Sequence, residues 1–217
     1  MFQVLLQYHH MLFQGFATTL ELLGSIIIIG IPLGTLLGII GGRFNKTVES
    51  AIKGARFFTK VVPVLVFLFW LHYPLQGLLG IVVNPFITTI VALGLINMIA
   101  TAHIVLVEIE LLPKSYSEAG VTLGMTKNQV IQYIELPLLL RRTTPQLLLN
   151  QASMLEYTLF ASLISVPELF RVAQTINSMI YQPVAIYSLL VVFFVIILVP
   201  LHLCTTWLQK KYITQYA

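Results

Sequence analysis

Five apolar stretches of roughly bilayer length, parted by short segments that hold nearly all the charge, constrain this chain more than any other feature. They run from about Phe16 to Ile40, Phe57 to Tyr73, Phe86 to Val107, Leu147 to Val166 and Val184 to Leu208, near the ~20 residues a helix needs to cross. Only 9% of the 217 residues are charged and 58% are hydrophobic, whereas a soluble domain is about a quarter charged. The expected fold is therefore all-α: one polytopic membrane domain, 1–217, with five transmembrane helices. Cys204 is the single cysteine, so neither a disulfide framework nor a zinc pattern is expected, and no metal site.

Charge placement sets the topology. A basic loop carries Arg43, Lys46, Lys53 and Arg56. Lys60 follows near the start of the second span, where a long side chain can snorkel to the interface. Further cations stand at Lys114, Lys127, Arg141, Arg142, Lys210 and Lys211. Five crossings put all of them on one side and leave only Arg171 on the other, so the positive-inside rule places the N-terminus outside and the C-terminus inside. The net charge of +4 is explained this way, without nucleic acid. Met1 to Gln14 has no Lys or Arg and does not read as a secretory signal. Trp70, Tyr73 and Trp207 fall near span ends, as interfacial aromatics do.

Within the spans, Gly30, Gly34, Gly38 and Gly42 repeat every fourth residue, a bare face that lets helices approach closely in lipid. It is expected to pack within the subunit, with a dimer seam as the second possibility. Pro32 and Pro63 are expected to kink their helices. Glu156 lies nine residues into the fourth span, about 14 Å at 1.5 Å per residue, close to mid-bilayer. A carboxylate there costs at least ~2.5 kcal/mol and should face a cavity or a partner. His103 and Asn97 in the third span either line the same path or are packing residues.

The most polar segment, 113–137, forms an elbow. Pro113 ends the preceding span, and Ser115 with Glu118 has capping-box spacing, so a short helix is expected to start there and to close at Gly124. Thr126 and Gln129 repeat the box, opening a second short helix expected to end before Pro137. An ordinary amphipathic hairpin on the membrane surface is the alternative.

Glu118-Ala119-Gly120, Gly124, Ile134, Leu136 and Pro137 also match the spacing of E-A-A-x3-G-x9-I-x-L-P. The chain thereby resembles the permease subunits of ATP-binding cassette (ABC) importers, with Gly120 in place of the second alanine. The likeness covers nearly the whole chain. Pro167-Glu168-Leu169 followed by Ala173-Gln174-Thr175-Ile176-Asn177 resembles the polar amino-acid group, the histidine, glutamine and arginine importers.

The resemblance implies a coupling helix docked on a separate ATPase, which binds the ATP and magnesium. It implies an extracytoplasmic substrate-binding protein, a second copy or sister permease, and the bacterial inner membrane. Departures lie at Lys60-Val61-Val62-Pro63, where the group often has R-G-T-P, and at Glu156-Tyr157-Thr158, where it has K-D-T. His103 stands where a glutamate is common. Glu156 in place of a lysine favours a cationic amino acid, with Tyr157, Thr158, His103 and Asn97 beside the path.

No catalytic constellation is visible. GGRFNKT at Gly41 departs from a phosphate loop at Asn45, so this chain has no ATP site of its own and is not expected to be an enzyme. A proton-coupled carrier using Glu156 and His103 is one alternative, although no internal repeat supports it. A non-transporting scaffold is another.

Overall fold

The computed structural model of the chain describes residues 2–212. Among these every regular element is helical. The first helix, α1 (Phe2–Arg43), is 42 residues long, or about 63 Å at 1.5 Å per residue. It starts well before the expected Phe16, because residues 2–14 contain neither proline nor glycine to interrupt it. It also continues unbroken through Pro32. That ring lies on the exposed side, where the strained carbonyls can tilt outward without opening the helix.

The expected basic loop is itself helical. Asn45 caps α2 (Lys46–Val61) by accepting from the Thr47 and Val48 N–H groups, which satisfies amides that would otherwise lack partners. The chain breaks at Val62 and Pro63, since proline drives the residue before it into extended backbone; Val62 has φ −81° and ψ 120°. Helices α3 (Val64–His72) and α4 (Pro74–Leu79) follow, and the path turns by 96° at the break.

At the centre is α5 (Pro85–Glu110), started by Asn84 and with buried residues along its length. Two short helices, α6 (Lys114–Thr122) and α7 (Lys127–Val130), form the elbow. A π-helical stretch, Ile131–Glu135, leads without interruption into α8 (Leu136–Thr158). A 3₁₀ segment, Leu159–Ile164, ends at Ser165 in the left-handed conformation. After a bend of 49° come α9 (Leu169–Ile180) and then α10 (Pro183–Tyr212).

Three helices, α1, α5 and α10, are long and apolar enough to cross a membrane, and the number rises to five if each bent pair counts as one span. The second and fourth expected spans fall on those bent pairs. The N-terminal half of α1 packs on α9 and α10, with Val4 and Leu12 against Leu169, Ala173, Ile176 and Ile186. Its C-terminal half lies along α5. A methyl group at Gly30 would meet Asn97 at 2.6 Å, one at Gly34 the Met98 carbonyl at 2.5 Å, one at Gly38 the Ala102 carbonyl at 2.6 Å, and one at Gly42 Ile109 at 3.1 Å. The four-residue glycine stripe is the surface on which α5 rests. At Gly34 and Gly38 the opposing group is a backbone carbonyl that cannot rotate away, and at Gly30 and Gly42 it is a side chain, Asn97 or Ile109.

Candidate functional site

Two regions carry the chemistry, and α8 joins them. The first is a cleft of about 430 Å³ between α2, α3, α5 and α8, whose polar lining is Arg56, Thr59, Lys60, Asn150, Ser153 and Tyr157. Its depth follows from packing. Ile52 of α2 meets Ala102 and Leu106 of α5, while Thr59 and Val62 lie with Ile96 and Ile99. Arg56 and Lys60 are thus set between those levels, beside the middle of α5. Lys60 was expected near a span's start; because α2 begins at Lys46, it stands in the last turn of that helix instead. Arg56 was expected in a loop, and this cleft position was not foreseen. The Arg56 Nε is buried without a hydrogen-bond partner.

Behind the cleft, Asn97 is fully buried. Its amide donates to the Ile26 carbonyl at 3.2 Å and the Gln151 Oε1 at 3.1 Å. Its oxygen accepts from Asn150 at 2.6 Å and from Gln151 at 3.1 Å. All the bonds a side-chain amide commonly makes are filled, so Asn97 fastens α1, α5 and α8 and holds the cleft residue Asn150.

Tyr157 lines the cleft and Thr158 is buried behind it, bonded to the Leu155 carbonyl. His103 is half-buried on α5, outside the cleft lining. Glu156 is exposed and makes no ion pair among the described residues. At 100° per residue it lies about 60° around α8 from Ser153, on the side away from Asn150, Met154 and Tyr157, which puts it beyond the cleft stripe.

The second region is the elbow. Ser115 and Glu118 do not cap it: α6 starts directly after Pro113, with no side-chain cap bond. Ser115 is therefore already inside the first turn, too late for a capping role. Gly124, however, has φ +84° and closes a Schellman motif, with Gly124 N–H on the Val121 carbonyl at 2.9 Å and Met125 N–H on Gly120 at 3.0 Å. The Thr126–Gln129 capping box is present on both sides.

Pro137 does not end the second arm. The helix widens over Ile131–Glu135, with the Leu136 N–H reaching the Ile131 carbonyl, and the widened turn makes room for the proline ring at the start of α8. Gly120 is buried, and a methyl group there would meet Ile134 at 2.8 Å. Glu118, Ala119, Gly124 and Leu136 are exposed, as are the apolar side chains Val121, Leu123 and Tyr133.

The elbow is tied to the end of α1. Glu135 pairs with Arg43 and accepts from the Ser117 hydroxyl at 2.7 Å. Burial pushes the Glu135 carboxyl up, but the Ser117 and Arg43 bonds outweigh it and hold it below the ordinary carboxylate value. With a lowered folded-state pKa, the stabilisation is fully present above the unfolded value of about 4.3 and is lost as pH falls through the folded value. Glu135→Gln should thus melt below wild type at neutral pH, and the gap in Tm should close under acid. A gap that stays constant down to pH ~3 would show that the ionised carboxylate contributes nothing.

With this geometry in hand, comparison with known proteins gives the class. The chain belongs to the family of binding-protein-dependent transport system inner membrane components, whose sequence model matches residues 30–213. Members are transport subunits served by a separate ATPase, which leaves no place for the proton-coupled alternative.

Among curated relatives, the glutamine transport system permease protein GlnP of Escherichia coli (strain K12) is 27% identical over 192 residues, covering 86% of this chain and 87% of that protein. The histidine/lysine/arginine/ornithine transport system permease protein HisQ of the same strain is 26% identical over 182 residues, or 78% and 79% of the two. The fold matches a chain from the crystal structure of an amino acid ABC transporter with histidines, with TM-score 0.85, 20% identity, and 97% and 98% of the two chains covered.

Proposed function

We propose that this chain is the permease subunit of an ATP-driven importer of a polar amino acid, with five spans, its N-terminus outside and its elbow and C-terminus inside. The observation that carries the reading is continuity: the second arm of the elbow runs through the π-helical stretch into α8, which lines the cleft. A displacement of the elbow is carried along the 23 residues of α8, about 35 Å of helix that continues through Pro145. Asn150, Ser153 and Tyr157 then move with it.

The partners follow from this arrangement. An ATPase, holding ATP and magnesium, docks on the exposed elbow face at Glu118, Ala119 and Gly124, while the half-buried Ile134 and Pro137 seat that face on α8. A binding protein delivers substrate outside, and a second copy or sister permease completes the path. ATP-driven closure of the ATPase shifts the bundle between inward and outward states. Glu156, exposed on α8 beside the cleft face and free of an ion pair among the described residues, supports a substrate with a cationic group of the arginine, lysine or histidine kind.

The test is uptake into proteoliposomes holding this chain with its ATPase and binding protein, challenged by unlabelled arginine, histidine, glutamine or glutamate. Cationic competitors should win, and Glu156→Gln should abolish uptake while ATPase activity persists. Glutamine or glutamate winning would remove the cationic reading and leave the importer. Glu118→Lys with Gly124→Trp should reduce uptake to the ATP-free background by spoiling the docking face. Normal uptake by that pair would overturn the elbow's role, and ATPase binding with no uptake of any amino acid by wild type would favour the scaffold.

A further inference from the structure

The connector between the second and third spans is built inside out. No Asp, Glu, Lys or Arg stands between Lys60 and Glu108, and within that stretch α4 and the turn after it bury their polar side chain and expose their apolar ones. Gln76 is 9% exposed. Its amide donates to the Thr88 hydroxyl at 3.1 Å, and its Oε1 accepts from the Val83 N–H at 2.8 Å. Gly80, with φ +63°, closes α4, and the Ile81 N–H returns to the Gln76 carbonyl at 3.1 Å. The turn is thus held firmly, yet Leu78 is 80% exposed and Val82 100%. A loop in water would have the opposite polarity, and an exposed apolar patch marks a surface that something else covers.

We infer that α4 and residues 80–83 form an interfacial anchor seated in the outer leaflet, with lipid acyl chains as the covering partner. This rests on the five-span topology of the importer reading. Two exposed apolar stripes run to the turn from either side. On α3 the stripe is Val66, Trp70 and Tyr73, and on α5 it is Ile87, Val91 and Leu95, each at the spacing of a single helix face. Faces of this kind on spanning helices meet lipid, and the Leu78–Val82 patch continues both. Trp70 and Tyr73 lie at the same end, where amphipathic rings settle at headgroup level.

The neighbouring recess fits the same partner. It measures about 150 Å³ and is walled by Leu71, Leu75, Leu79, Ile81, Val83 and Val91. Its polar groups, Gln76 and Thr88, are bonded to each other. A hydrocarbon tip suits such a wall, and a polar ligand does not. The backbone of the turn is irregular and needs water, which keeps it out of the hydrocarbon centre. The anchor therefore sits at the headgroup–acyl boundary, at the depth of about 5–10 Å usual for apolar faces lying in the interface. Since α3 supplies Val64 and Leu65 to the cleft, the bilayer holds the outer end of that wall while the elbow moves α8.

The test is a depth measurement on the full permease–ATPase complex in nanodiscs. Val82→Cys, in a Cys204→Ser background that leaves one labelling site, carries an environment-sensitive NBD fluorophore. The same label at Lys114→Cys, exposed on the elbow, is the aqueous reference. Emission at Val82 should lie to the blue of the reference, and iodide should quench it several-fold more weakly. Phospholipid spin-labelled near the headgroup end of its acyl chain should quench it more than lipid spin-labelled at the chain end. Leu78→Asp with Leu79→Asp should lift the turn and return iodide quenching to the reference level, with the complex still assembled and hydrolysing ATP.

Iodide quenching at Val82 equal to the reference would overturn the anchor. Shielding that appears only once the binding protein is added would assign the patch to that protein. Shielding without any quenching by lipid would assign it to a second permease copy, and either result also overturns the lipid reading. An impermeant maleimide applied to intact cells should reach Tyr181→Cys, on the exposed turn after α9, and not Lys114→Cys. The reverse pattern would overturn the topology and with it the outer-leaflet assignment, a failure distinct from aqueous exposure of Val82.

Discussion

Gly34→Leu is expected to abolish the folded subunit, and Gly34→Ala to lower its stability severely. A Cβ at Gly34 would stand 2.5 Å from the Met98 carbonyl and 2.6 Å from the Thr101 Cβ. The first of these is backbone and cannot rotate away. Ordinary overpacking costs about 1–3 kcal/mol, and a contact that forces α1 and α5 apart belongs at or above the top of that range.

Separation would also strip the Asn97 bond to the Ile26 carbonyl, leaving buried polar groups unmatched at about 1–3 kcal/mol each. Gly24→Ala is the control, since nothing lies within 4 Å of its added methyl group. Helix propensity alone should leave that variant unchanged or up to ~1 kcal/mol more stable. Melting curves of the detergent-solubilised subunit, with expressed yield, read both. Thr101→Ala added to Gly34→Ala should recover little of the loss, because it removes only the Thr101 Cγ2 at 3.0 Å and leaves both the Thr101 Cβ and the Met98 carbonyl in place. Wild-type melting of Gly34→Leu would mean that α1 and α5 do not meet along this stripe.

That stripe was legible because its signal is local: four glycines at one spacing leave a bare face whatever the partner helix is. The same holds for the Gly124 turn and the Thr126–Gln129 box, in which every participant sits within a few residues of the others. The elbow's first cap was misjudged, since the spacing of Ser115 and Glu118 suits a box only if the helix starts at Ser115. Pro113, with φ already set for helix entry, starts it earlier. Pro137 misled in the opposite way. Proline is tolerated at the first turn of a helix, and the π-helical widening before it turns a stop into a junction.

What sequence could not give is the neighbour across the bundle. The basic segment 43–56 has the charge of a loop and the 3.6-residue pattern of an amphipathic helix, with Ile52 buried and Lys53 exposed. The charge density reads as a loop with Arg56 at the surface, whereas the segment is helical and Arg56 is half-buried in the cleft wall; Lys60 is exposed, in the last turn of α2. Glu156 falls near the middle of an expected span, while Glu108 falls just past the third one, which ends at Val107, where a carboxylate reads as solvated. Burial depends on what packs alongside, and α8 covers Glu108 almost entirely.

Glu108→Ala is accordingly expected to be among the single changes most damaging to stability, well beyond Glu156→Gln, whose expected effect is on uptake alone. Glu108 is 3% exposed. It accepts from the Arg142 Nε at 2.9 Å and from the Gln146 amide at 2.9 Å, so both carboxylate oxygens are used. Removing one partner of such a pair leaves the other charge buried and uncompensated, at about 3–5 kcal/mol. The loss falls where α8 is fastened to α5, between elbow and cleft, so transport should fail together with stability.

Replacing both members by apolar residues of similar size, Glu108→Leu with Arg142→Met, removes the uncompensated charge. It is expected to melt near or above wild type, as buried pairs exchanged for packed hydrophobics often do. The four Tm values of the cycle decide the matter. If the two single losses sum to the double, the residues act independently and the pair does not exist in the membrane. If the double is restored but uptake is not, the pair serves the motion of α8 against α5 rather than its stability.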